Sequence, residues 1–276
     1  MRRWPAMERV ARGYALAEAP VAAPDGLYFS DALAGGVFHF SPATGLVETV
    51  IANRRGVGGM ALHADGGLVI SGRDVVHVRG EESRTLYADP ALGGINDLCV
   101  DPDGHVIFGT MRFRPFAGED PAASEFLRVD GSLVLGDVLW PNGCGFSPDG
   151  KTFYGCDYHR GQVFAADHIA DGGYGEPRVV VRSPGGVVDG MAVDETGCLW
   201  VALGPRASVG RFTPDGRLDT EIQVDADFVA SLCFAGSDRR DLYITTAGDP
   251  ASQTVRDGVF LTRAPVAGLP VPPAVD

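Results

Sequence analysis

Four residues with oxygen-bearing side chains recur at equivalent positions along the chain. Each lies seven residues before the middle of a turn motif written Pro-Asp-Gly or a variant of it; they are Glu18, Asn96, Asn142 and Asp189. Carboxylate and amide oxygens are the ligands that hard divalent cations take in proteins. Two carboxylates and two amides would neutralise one divalent cation, so the spacing predicts a metal centre. The alternative is that each side chain caps a strand or bonds within its own turn, as Asn and Asp often do.

A cation held by these donors would polarise a carbonyl or phosphoryl oxygen and lower the pKa of a bound water. Asp189 is then the candidate general base, because its carboxylate would lie beside the reacting oxygen. The sequence contains no Gly-x-Ser-x-Gly elbow and no His-Glu-x-x-His motif, and we expect no Gly-rich phosphate loop. The sequence therefore offers no other candidate for the reactive site than the metal centre.

The turn motifs divide the chain into six repeats of roughly 38 to 47 residues. The middle residues of the turns are Asp25, Asp65, Asp103, Asp149, Thr196 and Asp238. A run of β-forming residues follows each turn; the runs begin at Leu27, Leu68, Val106, Thr152, Leu199 and Leu242. Asp-Gly between two strand-like runs predicts a two-residue hairpin turn with positive φ at both turn residues.

Six repeats that consist of strands predict an all-β fold, a six-bladed β-propeller with four-stranded antiparallel blades. We expect residues 1–276 to form this one domain, and the N-terminal segment 6–17 to pair with the C-terminal strand around 258–262 and close the ring. In such a blade the innermost strand starts at one mouth of the central channel. The four donors should therefore converge at that mouth, where the other two repeats place Gly58 and Ser231.

The loops after the second strand of each blade return to the same mouth and border the predicted site. The longest, 111–124, carries Arg112 and Arg114 and is a candidate lid that brings a cation to an anionic or polyhydroxylated substrate. The next such loop carries Tyr158 and His159, of which His159 is the histidine best placed for catalysis. The alternative for the arginines is solvated surface charge, and a lone loop histidine is often a bystander.

The composition is that of a folded, acidic protein. Among 276 residues, 36 are acidic, 23 are basic and 45% are hydrophobic, which gives a formal net charge of −13. This charge disfavours nucleic acid and anionic membranes as partners, since no basic stripe is present. No secretory signal or spanning stretch is apparent, so a cytoplasmic protein is expected. The five cysteines lack Cys-x-x-Cys spacing and are interpreted as buried thiols, with a zinc site or a catalytic thiol as the alternative.

Five motifs occur in order at propeller spacing: Glu18-Ala19-Pro20, Asn96-Asp97 with Asp101-Pro102-Asp103-Gly104, Phe108-Gly109-Thr110-Met111, Pro141-Asn142-Gly143 through Gly150, and Asp189 through Asp194. Together they resemble the senescence marker protein/gluconolactonase/luciferin-regenerating-enzyme family, which includes regucalcin and the sugar lactonases. The resemblance implies a six-bladed propeller with one divalent metal, hydrolysing the cyclic ester of a sugar acid. It further implies that Glu18, Asn142 and Asp189 bind the metal, that Asp189 is the base, and that Asn96 touches substrate or a metal-bound water.

One position departs from the family pattern. Sugar lactonases of this family usually have an arginine two residues before the asparagine of the Asn-Asp pair, where this chain has Gly94. Arg112 or Arg114 could supply the missing cation. The departure weakens the assignment of an aldonolactone substrate but leaves the metal centre intact.

The sequence thus predicts a metal-dependent lactonase whose partner is a small-molecule lactone, acting as a monomer or small homo-oligomer. The cofactor is one divalent cation, for which Ca²⁺, Zn²⁺, Mg²⁺, Mn²⁺ and Fe²⁺ are all compatible with the ligand types. Two alternatives stay open: a metal-dependent aryl esterase or phosphotriesterase-like hydrolase, and a non-catalytic propeller that binds calcium or another ligand.

Overall fold

The computed structural model describes residues 4–169, 173–248 and 257–275. These residues form six sheets, each of four antiparallel strands. The first strands in chain order are β1 (Glu8–Ala11), β2 (Ala17–Ala23), β3 (Gly26–Asp31), β4 (Val37–Ser41), β5 (Leu46–Ile51), β6 (Met60–Leu62), β7 (Leu68–Ile70), β8 (Val75–Arg79) and β9 (Glu82–Tyr87). The next eight are β10 (Gly94–Val100), β11 (Val106–Met111), β12 (Ser124–Arg128), β13 (Leu133–Val138), β14 (Pro141–Phe146), β15 (Thr152–Asp157), β16 (Gln162–Asp167) and β17 (Arg178–Arg182). The last seven are β18 (Met191–Val193), β19 (Leu199–Ala202), β20 (Ser208–Phe212), β21 (Leu218–Gln223), β22 (Phe228–Ala235), β23 (Asp241–Ala247) and β24 (Gly258–Arg263).

The six sheets are the blades of a β-propeller, as the repeat predicted. Strands β2–β5, β6–β9, β10–β13, β14–β17 and β18–β21 make the first five blades in simple order. The sixth blade has the order β1-β24-β23-β22, so the N-terminal strand supplies its outer edge. Glu8 faces Leu261 and Arg9 faces Phe260 across this pairing. The predicted closure of the ring by the two ends of the chain is confirmed, and it protects the edges of the last blade.

The hairpin turns differ from the predicted type. Gly66, Gly104, Gly150 and Gly197 have positive φ, but the residue before each glycine is absent from the described non-glycine residues with positive φ. The Gly104 N–H donates to the carbonyl of Asp101 at 2.9 Å, which closes a four-residue turn. The prediction of positive φ at both turn residues is therefore wrong, because the aspartate keeps an ordinary conformation and only the glycine is left-handed.

Residues 145–152 match the letter pattern of a phosphate-binding loop, Gly-x-x-x-x-Gly-Lys-Thr. They form the end of β14, the turn and the start of β15, and no helix follows. Without a helix N-terminus, the backbone N–H groups cannot converge on a phosphate as they do in that motif. The match carries no phosphate site.

The core consists of apolar side chains packed between neighbouring blades. Cys156 and Val163 of the fourth blade, for example, share one cluster with Leu199 and Val201 of the fifth. The largest fully buried side chain is Trp200, which meets Phe234 edge-on at 5.4 Å between ring centres. All five cysteines are unpaired thiols and are buried or half-buried. In the described part of the chain, no helix is long and apolar enough to cross a membrane.

The inner strands β2, β6, β10, β14, β18 and β22 stand side by side around the channel. The end at which they start is called the mouth below, and the end at which they enter their hairpin turns is called the turn end. The C-terminal segment 264–275 lies at the turn end, where the Leu269 N–H donates to Val193 and the Ala274 N–H to Leu62, at 2.9 and 2.8 Å. Val193 ends β18 and Leu62 ends β6, in the fifth and second blades. Those blades are opposite each other in a ring of six, so the segment crosses the channel.

Candidate metal centre and active site

The mouth of the channel holds all four of the predicted donors. Glu18 lies in β2, Asn96 in β10 and Asn142 in β14, while Asp189 precedes β18 by two residues. The Asn142 side chain hydrogen-bonds Asp189, and the charge of Asp189 acts on Glu18. The Asn96 amide donates to the carbonyl of Pro141, next to Asn142, at 3.0 Å. The structure therefore brings together side chains that are as much as 171 residues apart in the sequence.

The two remaining repeat positions leave room for these donors. At Gly58, an added Cβ would lie 2.4 Å from Oδ1 of Asn96, so only glycine admits that side chain. Ser231 fills the space beside Gly190, where a Cβ would lie 2.1 Å from its Oγ. Both positions thus serve the packing of the neighbouring donor strands.

Irregular pairing marks three of the four donor positions, those of Glu18, Asn96 and Asn142, and the equivalent position of Ser231. In four blades the register between the inner strand and the next strand shifts at the mouth, at residues 18–21, 95–98, 141–144 and 229–231. Within the first of these shifts, Ala19 has φ +50°. A bulge leaves residues unpaired and re-aims their side chains. The bulges explain how residues of a regular sheet can turn toward one point in the channel.

The donors form a strongly acidic, buried group. Glu18 and Asp189 are 9% and 4% exposed. Burial raises the pKa of Glu18 well above its usual value, and the charges of Asp189 and Asp97 raise it further, against one backbone hydrogen bond from Ala19. Burial and the charge of Asp97 likewise raise the pKa of Asp189, although Asn142 and the Gly190 N–H favour its ionised form. Each carboxylate is thus unfavourable as an isolated anion.

These carboxyl groups have no counter-ion among the described residues. Among the described residues, no ion pair with Arg, Lys or His includes Glu18, Asp97 or Asp189. A buried carboxylate without a partner either takes up a proton or binds a cation. The donor types, two carboxylates and two amides, suit a hard divalent cation. The residues present therefore fit the metal that the sequence predicts.

Asp97 is a member of this group that the repeat did not identify. It is 7% exposed, and burial raises its pKa to about 8. It lines a small cavity of about 60 Å³ with Met60, Cys144 and Ser231, further along the channel from the mouth. A count of repeat positions selects one residue per strand, whereas the bulge at 95–98 brings two consecutive side chains to the channel. The Asn96-Asp97 pair in the sequence was the available signal.

Tyr158 lies at the mouth beside the donors. Burial and then the charges of Asp189 and Glu18 raise its pKa to about 12, so the phenol keeps its proton. Its loop is fixed by the fully buried Asp157, which accepts the Leu139 and Arg160 N–H groups, both at 3.0 Å. The Tyr158 ring packs on that of Trp140 with 4.7 Å between centres. The predicted contact of Tyr158 with substrate is geometrically available.

The predicted lid residues are paired with carboxylates. The Arg112 guanidinium donates to both oxygens of Glu125, at 3.1 and 2.5 Å. Arg114 bonds Glu119 through its backbone N–H at 2.7 Å and its guanidinium at 3.3 Å. His159 is exposed, next to Tyr158. Substrate contacts of Arg112, Arg114 and His159 stay predictions, and for the two arginines they now require competition with an acidic partner.

A second acidic cluster lies at the turn end, formed by Asp101, Asp103 and His105. Asp101 already accepts the Asp103 and His105 N–H groups, at 3.0 and 2.9 Å, and its other oxygen faces Arg128 at 3.4 Å. Its hydrogen bonds close the turn. Unlike the donors at the mouth, this cluster has its own counter-charge.

Comparison with known proteins identifies the family to which the sequence is related. Residues 16–248 match the sequence profile of the SMP-30/gluconolactonase/LRE-like region. A 6-deoxy-6-sulfogluconolactonase from Pseudomonas putida is 31% identical over 89% of each chain. A pentonolactonase from Haloferax volcanii is 30% identical, over 88% of this chain and 85% of the other. Regucalcin from Xenopus laevis is also 30% identical, over 87% and 86%. These relatives include lactonases, which are ester hydrolases.

The fold is shared with solved structures of the same group. A luciferin-regenerating enzyme superposes with a TM-score of 0.85 at 21% identity, covering 99% of this chain and 100% of the other. A calcium-binding regucalcin from Agrobacterium tumefaciens gives 0.84 at 21% identity, covering 98% and 97%. At this identity the likeness concerns the fold alone, while the sequence profile spans most of the chain. The protein belongs to the SMP-30/gluconolactonase/LRE-like family.

Proposed function

We propose that this protein is a divalent-metal-dependent lactonase that hydrolyses a sugar-acid lactone or a related cyclic ester to the hydroxy acid. The observation that carries the proposal is the buried acidic group at the mouth, which has no counter-charge among the described residues. The lactonases among the relatives favour a cyclic ester as substrate.

Glu18, Asn142 and Asp189 would hold the cation, with Asn96 beside it. The hydrogen bond from the Asn142 amide N–H to the Asp189 carboxylate supports this set, because it holds the two side chains next to each other. Ca²⁺, Zn²⁺, Mg²⁺, Mn²⁺ and Fe²⁺ all accept such oxygen ligands, so the donor set leaves the metal's identity open. The relatives named regucalcin favour calcium as the first ion to test.

The bound cation would supply Lewis-acid polarisation of the lactone carbonyl. Asp189 would accept a proton from the attacking water, because a nearby positive charge favours its ionised form. The water oxygen then bonds to the carbonyl carbon, and the ring C–O bond breaks. The proton ends on the former ring oxygen, which gives the hydroxy acid. Tyr158, neutral at physiological pH, would donate a hydrogen bond to a substrate oxygen, and Asn96 would orient the substrate.

Arg112, Arg114 and His159 would contact groups at the outer side of the substrate. The two guanidiniums lie in the loop that follows β11, and the loop leans on the start of β10. At Gly93 an added Cβ would lie 2.1 Å from the carbonyl oxygen of Phe113. The loop therefore borders the mouth, in agreement with a role near the substrate.

Two other functions are favoured by particular observations. The half-buried rings of Trp140 and Tyr158 favour a metal-dependent esterase for aryl esters or phosphotriesters. The regucalcin relatives favour a propeller that binds calcium without catalysis. The Phe113 side chain, in the loop that follows β11, is buried against Trp140 and is not exposed to a ligand.

The test is proton release from a panel of lactones, aryl esters and phosphotriesters after chelation and re-addition of each metal separately. Lactone opening that is lost on chelation and restored by one ion supports the proposal. Metal binding without turnover of any substrate supports the non-catalytic alternative. An Asp189→Asn variant that retains metal but loses turnover would place the carboxylate in the chemistry, whereas unchanged behaviour would remove it.

A further inference from the structure

Half-buried apolar side chains surround the mouth. We call Met111, Trp140, Tyr158, Val187 and Phe228 the apolar rim; each is partly exposed and lies in a segment that enters or leaves an inner strand or its neighbour at the mouth. Partly exposed aromatic and aliphatic side chains that line a concave site provide contact area for apolar ligand groups. The rim is therefore a candidate determinant of what the site accepts.

On one side of the mouth the rim is rigid. Trp140 packs edge-on against buried Phe113 at 5.5 Å and against Tyr158 at 4.7 Å. The Tyr158 N–H also donates to the Trp140 carbonyl at 3.0 Å, which ties the two loops together. The charges of Asp189 and Glu18 act on the Tyr158 phenol. The rings of Phe113, Trp140 and Tyr158 thus pack in sequence, and Tyr158 lies next to the donor group.

The other rim residues fill spaces opened by glycines. At Gly94, two residues before Asn96, an added Cβ would lie 2.9 Å from Cε of Met111, so the thioether covers the start of β10. At Gly204, an added Cβ would lie 2.6 Å from Val187 and 3.1 Å from Phe228. At both places an apolar side chain occupies the position where a polar side chain could otherwise reach the substrate.

The cations of the mouth loops are largely neutralised. Besides Arg112 and Arg114, Arg160 pairs with Asp157 at 3.0 Å and Arg206 with Glu221, its Nη2 at 2.9 Å. Four guanidiniums therefore already hold carboxylates, in a chain whose net charge is −13, whereas Arg73, in the loop after β7, is exposed and has no ion pair among the described residues. At the four paired arginines, a phosphate, sulfonate or carboxylate on the substrate would have to displace these partners, whereas an uncharged apolar group meets no such competition.

We infer that the apolar rim binds an alkyl or aryl substituent of an uncharged lactone, with the lactone ring held at the donors and the substituent against Trp140 and Met111. The inference rests on the proposed lactonase function and names its substrate class. It distinguishes an apolar-substituted lactone from a polyhydroxylated or anionic one.

The experiment compares metal-loaded protein on γ-butyrolactone and its γ-alkyl derivatives up to a five-carbon chain, with glucono-1,5-lactone and its 6-phosphate as polar comparisons. Burying one methylene favours binding by about fourfold at full transfer, so kcat/KM should rise about two- to fourfold per carbon. The five-carbon lactone should exceed both sugar lactones. A flat or falling series, or preference for either sugar lactone, overturns the inference.

The matching γ-lactams resist hydrolysis and report on the rim independently of catalysis. Their binding, followed by tryptophan fluorescence, should tighten by a similar factor per carbon. Tightening without opening of any lactone would uphold the rim and refute the lactonase. If lactones are opened but neither kcat/KM nor lactam binding depends on chain length, the lactonase function is upheld and the role of the rim is refuted.

Trp140→Ala should flatten the chain-length series, with a loss at least tenfold larger for the five-carbon lactone than for γ-butyrolactone. Trp140→Phe should retain most of the slope, which separates lost contact from misfolding. Leu46→Ala is the control, because Leu46 is 62% exposed on an outer strand; it should leave the series unchanged. Equal losses for all lactones in Trp140→Ala would overturn the assignment of the rim.

Discussion

Asp189 and Asp194 lie five residues apart, at opposite ends of the fifth inner strand, and both are buried. Asp194 accepts hydrogen bonds from Trp200 Nε1 and Arg211 Nε, both at 2.9 Å. Although burial alone would raise the pKa of Asp194, the bonds from Thr196 and Trp200 and the charge of Arg211 bring it below the usual value. Asp189 has an amide and a backbone N–H but no cationic side chain beside it in the described part of the chain, and burial and the charge of Asp97 raise its pKa.

The difference separates a carboxylate that is neutralised within the fold from one that, on the proposed function, binds a cation. At the turn end every bond of Asp194 is made within the protein, so its charge strengthens the folded state. At the mouth the fold buries the carboxyl groups of Glu18, Asp97 and Asp189, which have no basic partner among the described residues, and such an arrangement is expected at a functional site. The two ends of one strand should therefore respond to mutation in opposite ways.

The largest effect is expected from Asp189→Asn. Lactone hydrolysis should fall by at least about a hundredfold, because the variant removes the base. The unfolding midpoint of the metal-free protein should stay equal or rise, because an amide replaces a carboxyl group whose ionised form is unfavourable at this buried position. Metal-restored initial rates and thermal unfolding check the two parts; a variant that keeps most of its activity would contradict the assignment.

Asp194→Asn should behave in the reverse manner. Leaving Arg211 without its buried partner should reduce the free energy of unfolding by about 3 kcal/mol. Activity per folded molecule should be retained, since Asp194 lies at the turn end. Urea unfolding and rates corrected for the folded fraction measure both quantities. If Asp194→Asn lost specific activity without losing stability, the proposed distinction between the mouth and the turn end of this strand would be wrong.

The metal-free protein should lose stability as pH rises from about 4 to 8. The pKa of Asp97 is 3.8 when unperturbed and about 8 in the fold, so the folded state keeps a proton that the unfolded chain releases across this window. The free energy of unfolding should then fall by about 1.4 kcal/mol per pH unit for each such group. Asp97→Asn should reduce the slope, and Asp103→Asn, at the exposed turn, should leave it unchanged. A slope unaffected by Asp97→Asn would show that another group takes up the proton.

The smallest effect is expected from Glu125→Gln, which releases Arg112 at the mouth. Stability should change by less than about 1 kcal/mol, because the arginine is half exposed. The ratio of activity on 6-phosphogluconolactone to that on glucono-1,5-lactone should rise several-fold. Asp238→Asn, which loosens Arg263 at the turn end, is the matched control and should leave the ratio constant. Equal ratios in both variants would mean that Arg112 does not face the substrate.

The sequence predicted the blades, their closure and the meeting of Glu18, Asn96, Asn142 and Asp189, because a repeat carries its geometry from one blade to the next. Asp97 could not be predicted in this way, since its orientation depends on a bulge that breaks the repeat. The pairing of Arg112 with Glu125 could likewise not be predicted from the sequence, because the two residues meet only when β11 and β12 form a hairpin. The features that could not be predicted are therefore the local irregularities that fit a regular sheet to a particular ligand.

The C-terminal segment crosses the channel at the turn end, so we expect ligands to enter and leave by the mouth. On the proposed function, substrate and product would then pass the same five side chains of the apolar rim, and a new substrate could enter only after the ring-opened acid has left. Product is thus expected to compete with substrate for the same binding site instead of leaving through the turn end of the channel. Residues 264–275, which lie at the turn end away from the four donors, would in this way determine that product leaves before the next substrate enters the channel.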